Sequence, residues 1–211
     1  VRDPDGKILS VNFWLNLGRV LPLPANTKID PLTGLLSMHS FFEAMEECRK
    51  AHGKGLAVLY INILNFRSVN LRYGVAAGDD LLCSLAHCLQ DCFSDGSVAH
   101  FDADHFAVLA PSGRLEERAE HMRSMIRKFS PRTIDASIGA CIWDDPFTDA
   151  EAACTRAKVA SDDNRRRDNT YFSVFTCELG KRLEISEYVV SSIDEAIARG
   201  WIKVYYQPII R

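Results

Sequence analysis

Residues 100–109 read HFDADHFAVL, and this stretch decides the fold. It follows the turn-rich run SDGSVA at 94–99 and ends in the apolar run 106–109. Apolar pieces on both sides of the polar tip 102–105 are typical of a tight β-hairpin. Two carboxylates and an imidazole on a bare hairpin more often mark a solvated turn than a site. The rest of the chain has to decide between the two interpretations.

The composition is that of a globular protein that is not a general nucleic-acid binder. Of its 211 residues 47% are hydrophobic, which is enough for a sizeable core. The formal net charge of −3 supplies no basic face for a phosphate backbone. Seven cysteines without regular spacing indicate free thiols in a reducing compartment, so we expect a cytoplasmic chain. No apolar run approaches the roughly 18 residues of a membrane span.

The two ends of the chain indicate a piece of a longer protein. It starts at Val1 without a signal peptide, and its last run, VYYQPIIR at 204–211, stops within a predicted strand. Residues 1–28 alternate in polarity before Pro22 and Pro24, which predicts a strand or hairpin and a linker. We expect this segment to be the tail of an upstream sensory domain, through which the full protein could attach to a membrane.

Hydrophobic periodicity predicts alternating helices and strands through the middle of the chain. After a helix at 37–52, the order is strand, two helices, two hairpin strands, helix, strand, helix and strand. The segments are 56–61, 65–73, 78–93, 98–99, 106–109, 114–129, 133–143, 148–160 and 171–175. Mixed hairpin and crossover connections favour an α+β fold with helices on the faces of a sheet.

A separate unit is predicted near the end of the chain. Residues 183–199 have an amphipathic pattern with Ile185 and Val189 on the apolar side, and Gly200 would end that helix. A new strand is expected at 201–206. We therefore expect a linker helix at 178–200 and the beginning of a second domain at 201–211.

Four landmarks in this order resemble the GGDEF family, the diguanylate cyclases. DPLTGL at 30–35 is similar to the opening motif of the family, and YINILNFR at 60–67 is similar to its first strand and loop. Residues 102–106 stand where the hairpin that names the family would be. The segments 137–139 and 157–158 resemble its closing elements.

The resemblance extends over about residues 28–177 and implies both fold and domain limits. It implies a nucleotidyl cyclase-like palm at 29–177, with a central, mostly antiparallel sheet flanked by helices. The run YYQPII at 205–210 is similar to the opening of an EAL domain, a cyclic di-GMP phosphodiesterase. The chain then resembles a GGDEF domain followed by the first strand of a truncated EAL domain.

The family joins two GTP molecules, each held by one protomer, into cyclic di-GMP. This reaction needs Mg²⁺ or Mn²⁺, and such hard ions prefer anionic oxygen ligands. The resemblance places the metal ligands on Asn62, on the backbone of Ile63 and on Asp104. Asn62 stands where the family has a carboxylate, and its amide oxygen is a poorer ligand. Asp104 would be the catalytic carboxylate if activity survives.

The name-giving signature falls on Asp102, Ala103, Asp104, His105 and Phe106. It departs from the family at three of these five positions. Asp102 and Ala103 replace two glycines, which allow positive φ and close approach of a nucleotide. His105 replaces an acid and is unsuited to Mg²⁺. His100 and Asp162 also stand where basic residues are expected. These changes oppose productive binding of a triphosphate.

Other nucleotide-binding positions are retained. Asn70 and Asp79 stand where the family reads guanine, and Lys158 remains for phosphate. Phe66 and Arg67 belong to a turn whose backbone N–H groups can bind phosphate at a helix start. The alternative interpretations are that Asp79 is only a helix N-cap and Asn70 only a turn residue.

Three hypotheses follow. The first is a catalytically inactive GGDEF domain of a GGDEF-EAL cyclic di-GMP signalling protein that regulates the downstream phosphodiesterase, with GTP as a ligand. The second is a purely structural or dimerisation domain, and the third is a residual diguanylate cyclase that uses Asp104 and Asn62. The expected partners are GTP, its own EAL domain and a second copy. No cofactor is expected unless Mg²⁺ or Mn²⁺ accompanies a productively bound nucleotide.

Overall fold

The computed structural model describes residues 29–52, 54–129, 134–167, 169–203 and 205. The strand or hairpin predicted at 1–28 lies outside the described residues, as does most of the run 204–211. All seven cysteines are free thiols, as their spacing predicted. None of the described helices is long and apolar enough to cross a membrane.

The described residues before 176 form five strands and five helices. The strands are β1 Leu56–Leu64, β2 Ser97–Asp102, β3 His105–Pro111, β4 Asp135–Ile142 and β5 Phe172–Val174. The helices are α1 Met38–His52, α2 Phe66–Tyr73, α3 Val75–Cys92, α4 Leu115–Phe129 and α5 Ala150–Asn164. The order of elements predicted from hydrophobic periodicity is confirmed.

The strands form one sheet in the order β2-β3-β1-β4-β5, with β1 in the centre. The pairs β2–β3, β3–β1 and β1–β4 are antiparallel, and only β4–β5 is parallel. The expected α+β fold with a mostly antiparallel sheet and flanking helices is therefore confirmed.

Three element boundaries differ from the prediction. β1 continues to Leu64 because Asn62 pairs with His105 on one side and with Ser137 on the other. α3 begins at Val75, directly after Gly74, rather than at 78. α5 extends through 161–164, a segment predicted as a charged turn. In each case tertiary contacts continue an element beyond the pattern of its own residues.

The central strand is buried on both faces. Ala57, Leu59, Ile61 and Ile63 point into a core shared with α2, α3 and α4. The alternating residues Leu56, Val58 and Tyr60 point into a second core with α1 and α5. Because successive strand residues face opposite sides, a strand between two helical layers must be apolar throughout. This explains the unbroken apolar run that predicted β1.

Helix α5 lies unusually close to β4. A Cβ atom at Gly139 would come 2.0 Å from the carbonyl oxygen of Ala157 and 2.2 Å from the backbone nitrogen of Ser161. This approach lets the Ser137 hydroxyl donate to the Ser161 carbonyl at 2.7 Å. The Asn164 amide likewise donates to the Ile138 carbonyl at 2.8 Å. The glycine therefore sets the position of α5 on the sheet.

Residues 176–211 form a second compact unit. The prediction of a single helix at 183–199 is wrong, because the described residues form two helices, α6 Cys177–Ser191 and α7 Ile193–Ala198. The first helix begins earlier because the Thr176 hydroxyl accepts a hydrogen bond from the Leu179 amide at 3.2 Å. Ser192 separates the two helices. Residues 201–203 and 205 are not in a strand.

The position of β4 is also secured by an ion pair at its start. Arg123 of α4 donates from Nε and Nη2 to the Asp135 carboxylate, at 2.7 Å and 2.8 Å. Its guanidinium lies 4.1 Å from the centre of the Tyr171 ring. Burial raises the pKa of Asp135, but hydrogen bonds from Arg123 and from the Ala136 amide outweigh burial, so this pKa lies below its ordinary value.

The substitution Gly139→Ala is expected to lower the free energy of unfolding by about 2 to 3 kcal/mol, because its methyl group would collide with the backbone of α5. Urea denaturation measures the change. The matched control is Gly113→Ala, since a Cβ there has nothing within 4 Å. Equal effects of the two substitutions would contradict the close contact.

The ion pair predicts a pH-dependent contribution to stability. A carboxyl group whose pKa is lower in the folded chain stabilises it above the unfolded pKa of about 3.9 and loses this effect as the pH falls through the folded pKa. We expect Asp135→Asn to be less stable than the wild type at pH 7, with the difference disappearing below pH 4. Thermal unfolding from pH 7 to pH 2.5 tests this. The exposed Asp91→Asn serves as control, and a constant difference at every pH would contradict the expectation.

Candidate functional site: the hairpin and the end of the central strand

The hairpin expected from the sequence is confirmed, and its tip consists of Ala103 and Asp104. Ala103 has a φ of +44°, and an alanine in this left-handed region is less favourable than a glycine by about 1 kcal/mol. A β-bulge between His100 and Asp102 precedes the tip. The tip therefore has a backbone conformation that suits glycine, the residue that the family resemblance leads us to expect there.

The imidazole of His100 connects this tip to the turn that begins at Asp30. Its Nε2 lies 3.0 Å from the Ala103 carbonyl oxygen and its Nδ1 lies 3.1 Å from Oδ2 of Asp30. That same oxygen accepts hydrogen bonds from the backbone nitrogen and the hydroxyl of Thr33, at 2.8 Å and 2.6 Å. The imidazole therefore lies between oxygen atoms of the hairpin tip and of the turn at Asp30, and it joins these two segments.

The carboxylate in this contact is held in its charged form. Burial raises the pKa of Asp30, but hydrogen bonds from Thr33 and His100 outweigh burial and keep this pKa below its ordinary value. The contact joins residue 30 to residue 100, so neither the opening motif at 30–35 nor the hairpin predicts it alone. The available signal was charge complementarity, namely an acid in one motif and an imidazole in the other.

Three residues at the expected metal positions come together beside the hairpin. The Asn62 amide nitrogen lies 3.1 Å from Nε2 of His105, and it donates to this ring nitrogen. Oδ1 of Asp104 lies 3.8 Å from the same nitrogen. The backbone nitrogen of Ile63 donates to the Asp104 carbonyl at 2.9 Å. The contact fixes the orientation of Asn62, which is only 5% exposed.

This donor set does not fit Mg²⁺ or Mn²⁺ bound to a triphosphate. Mg²⁺ prefers six oxygen ligands in an octahedron, usually with more than one anionic group from protein and substrate. Asp104 is the one carboxylate among the three side chains, and the Asn62 amide is hydrogen-bonded to an imidazole. Among the described residues, no group of three or more His, Cys, Asp or Glu side chains could hold a metal ion.

Three carboxylates affect the pKa of Tyr60, which lies beside this site. Burial, followed by the charges of Asp162, Asp104 and Asp102, raises the pKa of Tyr60 to about 12. The centre of the Tyr60 ring lies 5.5 Å from the centre of the His105 ring, so Tyr60 lies beside the hairpin. The carboxylates therefore make the region around the hairpin electronegative.

The two expected guanine-binding residues lie on adjacent helices. A Cβ at Gly78 would come 1.8 Å from Oδ1 of Asn70, so this glycine allows α2 and α3 to pack closely there. Oδ1 of Asn70 is buried and has no hydrogen-bond partner in the described part of the chain. Asp79 follows Gly78 and is partly exposed. Asn70 and Asp79 thus lie on two helices that are in close contact at Gly78.

Both alternative interpretations of these residues are wrong. The N-cap of α3 is Gly74, so Asp79 lies inside the helix and does not cap it. Asn70 lies inside α2 and is not a turn residue. Neither residue is explained by local backbone structure.

The other expected nucleotide-binding residues, Phe66, Arg67 and Lys158, differ in their exposure to solvent. Phe66 is 7% exposed and packs in the core, so its side chain supports α2. Arg67 and Lys158 are exposed. Asn65, with a φ of +65°, is the one residue between β1 and α2. The turn can therefore offer backbone N–H groups at the start of α2.

A cavity lies at the end of the hairpin strands that is opposite to the tip. The sequence did not predict it. It has a volume of about 630 Å³ and includes Asp95 and Arg118 in its lining. Arg118 donates to the Asp95 carboxylate through both Nη atoms, and its guanidinium lies 4.6 Å from the centre of the Phe93 ring. This ion pair joins the loop between α3 and β2 to α4.

Comparison with known proteins identifies the domain. The sequence model of "Diguanylate cyclase, GGDEF domain" matches residues 27–169. The cyclic di-GMP phosphodiesterase NbdA of Pseudomonas aeruginosa is 27% identical over 198 residues, which cover 87% of this chain and 25% of NbdA. The cyclic di-GMP phosphodiesterase PdeR of Escherichia coli is 26% identical over 198 residues, covering 89% of this chain and 30% of PdeR. The chain thus spans less than a third of the length of either relative.

The fold is also that of a solved domain. The structure of a fragment of TpbB (YfiN) from Pseudomonas aeruginosa that comprises only the GGDEF domain superimposes with a TM-score of 0.61. The match covers 74% of this chain and 99% of that fragment, with 23% sequence identity. The sheet order, the hairpin tip beside Asn62 and the family match agree, and this chain belongs to the GGDEF domain family.

Proposed function

We propose that this chain is a GGDEF domain that makes no cyclic di-GMP and regulates a cyclic di-GMP phosphodiesterase domain, of the EAL type, in the same protein. Its regulatory ligand is a guanine nucleotide bound at Asn70 and Asp79. Cyclase activity is lost because the residues beside the hairpin no longer bind a divalent metal with a triphosphate.

The contact between Asn62 and His105 carries this proposal. A cyclase needs carboxylates at this place to neutralise the triphosphate and the developing charge during phosphoryl transfer. Here an amide donates to an imidazole at 3.1 Å, and one carboxylate, Asp104, stands beside them. Removal of one metal ligand commonly lowers turnover by orders of magnitude.

The helices that carry Asn70 and Asp79 support nucleotide binding. Guanine presents N–H donors to a carboxylate and acceptors to an amide NH₂ group. Among the described residues Oδ1 of Asn70 is buried and has no partner, and α2 and α3 pack closely at Gly78, so we assign the guanine base to Asn70 and Asp79 on these two helices. A residue arrangement with no role in capping or turn formation is best explained by a ligand.

The relatives support the regulatory part of the proposal. NbdA and PdeR are named cyclic di-GMP phosphodiesterases, and each aligns with nearly the whole of this chain over about a quarter to a third of its own length. We propose that this chain likewise comes from a longer phosphodiesterase. The full-length protein should then change its phosphodiesterase rate when a guanine nucleotide binds.

A domain that acts only through protein contacts is the second candidate. It is favoured by the acidic residues Asp102 and Asp162, which stand where the family resemblance leads us to expect a glycine and a basic residue. Under this hypothesis guanine nucleotides cause no thermal shift of the domain, and regulation depends on contacts with neighbouring domains or with a second copy.

We expect the wild-type chain to form no cyclic di-GMP from GTP with either Mg²⁺ or Mn²⁺, because the metal ligands are incomplete. Liquid chromatography of the reaction mixture, with an active diguanylate cyclase as positive control, provides the measurement. Cyclic di-GMP production that stops in Asp104→Asn would instead establish a residual cyclase.

Restoration of the missing charges provides a gain-of-function control. The double variant Asn62→Asp with His105→Glu should bind GTP at least about tenfold more tightly in the presence of Mg²⁺ than in its absence, because two carboxylates are added to the site. The wild type should show no such dependence. Addition of Asp104→Asn to the double variant should reduce the gain.

The substitution Asp79→Ala should weaken the binding of guanine nucleotides by at least about tenfold, since it removes a charged hydrogen-bond acceptor. Isothermal titration calorimetry with the 211-residue chain measures the affinity. Asp80→Ala is a matched control, because Asp80 is the adjacent, exposed carboxylate on the same helix. Equal affinities of the two variants would rule out Asp79 as a guanine ligand.

A further inference from the structure

Three cysteines of this chain are accessible to solvent, and they lie in different surroundings. Cys83 and Cys92 are partly exposed, and Cys177 is exposed. The Cys83 thiol donates to the Leu32 carbonyl at 3.2 Å, and burial raises the pKa of this thiol. Because the thiolate is the reactive form of cysteine, Cys83 is a poor nucleophile at neutral pH.

Cys92 is the last residue of α3 and lines the cavity of about 630 Å³ beside Asp95 and Arg118. It packs in part against the core of the central strand and is accessible from the cavity. A cavity of this volume is as large as many sites for small molecules. A small reagent can therefore meet the thiol inside a site that has its own polar groups.

A fixed positive charge lies near this thiol. The guanidinium of Arg118 lies 4.6 Å from the centre of the Phe93 ring, and Phe93 directly follows Cys92. Arg118 also donates to the Asp95 carboxylate through both Nη atoms, and this two-point contact holds it at the cavity wall. Asp95 offsets part of its charge. The rest of that charge favours the thiolate form of Cys92.

The other ionisable groups around the thiol have both signs. Nη1 of Arg114 lies 3.9 Å from Oε2 of Glu117 in an exposed pair that contributes little energy, so both side chains remain available to a ligand. His121 lines the same cavity. Asp91 and the carbonyl groups at the end of α3 are negative, and they oppose a thiolate at Cys92.

A second thiol lies one helical turn before Cys92. Cys88 is buried, and side chains four residues apart on a helix are neighbours. The hydrogen bond between the two thiols, together with burial, raises the pKa of Cys88. The same hydrogen bond and the charge of Arg118 outweigh burial, so the pKa of Cys92 lies below its ordinary value. The pair thus consists of one inert thiol and one reactive thiol.

The disulfide of a small peptide thiol fits this arrangement. A thiolate attacks disulfides, and access to the attacking sulfur limits the rate. Arg114 and His121 can bind carboxylates of such a ligand, and Glu117 can bind its ammonium group. Oxidised glutathione carries both kinds of group.

We propose that Cys92 exchanges reversibly with an oxidised low-molecular-weight thiol of the glutathione class, one half of which then occupies the cavity. The Cys92 thiolate forms a bond to one sulfur of the ligand, and the bond between the two ligand sulfurs breaks. The second half leaves as a thiolate and takes up a proton from water. Cys92 is oxidised and the ligand disulfide is reduced, so no other oxidant is needed. This modification site goes beyond the proposed function and does not depend on guanine binding.

Incubation of the reduced 211-residue chain with oxidised glutathione at pH 7, followed by mass spectrometry of its peptides, gives the rate at each cysteine. Cys92 should react at least about threefold faster than the more exposed Cys177, and Cys83 should react most slowly of the three. With the uncharged hydroxyethyl disulfide as control, the preference for Cys92 should become smaller. A rate at Cys177 that equals or exceeds the rate at Cys92 with oxidised glutathione would overturn the proposal.

Two variants with opposite effects on charge test the cause. Arg118→Gln should slow the reaction of Cys92 by at least about threefold, and Asp95→Asn should accelerate it, because the charge of Arg118 is then no longer offset. Arg72→Gln is the matched control, since it removes an exposed arginine of α2 that does not line the cavity. The buried Cys141 should stay unmodified in every variant, which verifies that each variant is folded.

The pH dependence of the reaction provides a separate test. The rate of alkylation of Cys92 by iodoacetamide should reach half of its maximum below pH 8.5, the approximate pKa of an ordinary cysteine. A midpoint at or above that pH contradicts a reactive thiolate at this position. Equal rates in Arg118→Gln and Asp95→Asn contradict the role of the arginine.

Discussion

Burial of β1 on both faces is the constraint on which the rest of this structure depends. A strand that is paired on both edges and covered on both faces cannot move without opening two cores. Asn62, near the end of this strand, is therefore a rigid reference point, and the hairpin tip and the C-terminal turn of α5 are held against it. The contact of α5 with Gly139 continues this rigidity across β4.

The fold of the family is present in this chain together with side chains that differ from those that the family resemblance leads us to expect at the hairpin and the central strand. Asn62, Ala103 and His105 occupy the same strand and hairpin positions as the residues expected in the family, and the sheet register does not depend on their side chains. The new side chains form their own contacts, such as the Asn62–His105 hydrogen bond. His100 likewise forms a contact with Asp30 that secures the hairpin tip. Backbone pairing preserves the architecture, and side-chain chemistry determines what binds there.

The site has two parts with different side chains. The part formed by α2 and α3 has an amide and a carboxylate that helix capping and turn formation do not use. The part beside the hairpin has an amide that donates to an imidazole, with one carboxylate next to them. In the proposed function, the first part binds the guanine base and the second part does not support phosphoryl transfer.

The sequence by itself determined the order of elements, the hairpin and the family, because apolar periodicity and spaced motifs are properties of neighbouring residues. It also identified Asn62 and His105 as unsuited to a hard metal ion, since ligand chemistry belongs to the residue type. Only the tertiary structure decided the ends of β1 and α5, the break at Ser192, the contact of His100 with Asp30 and the position of Arg118 over Phe93. These features join residues far apart in the chain or depend on packing against other elements, and pairwise distances across a fold are not encoded in local patterns.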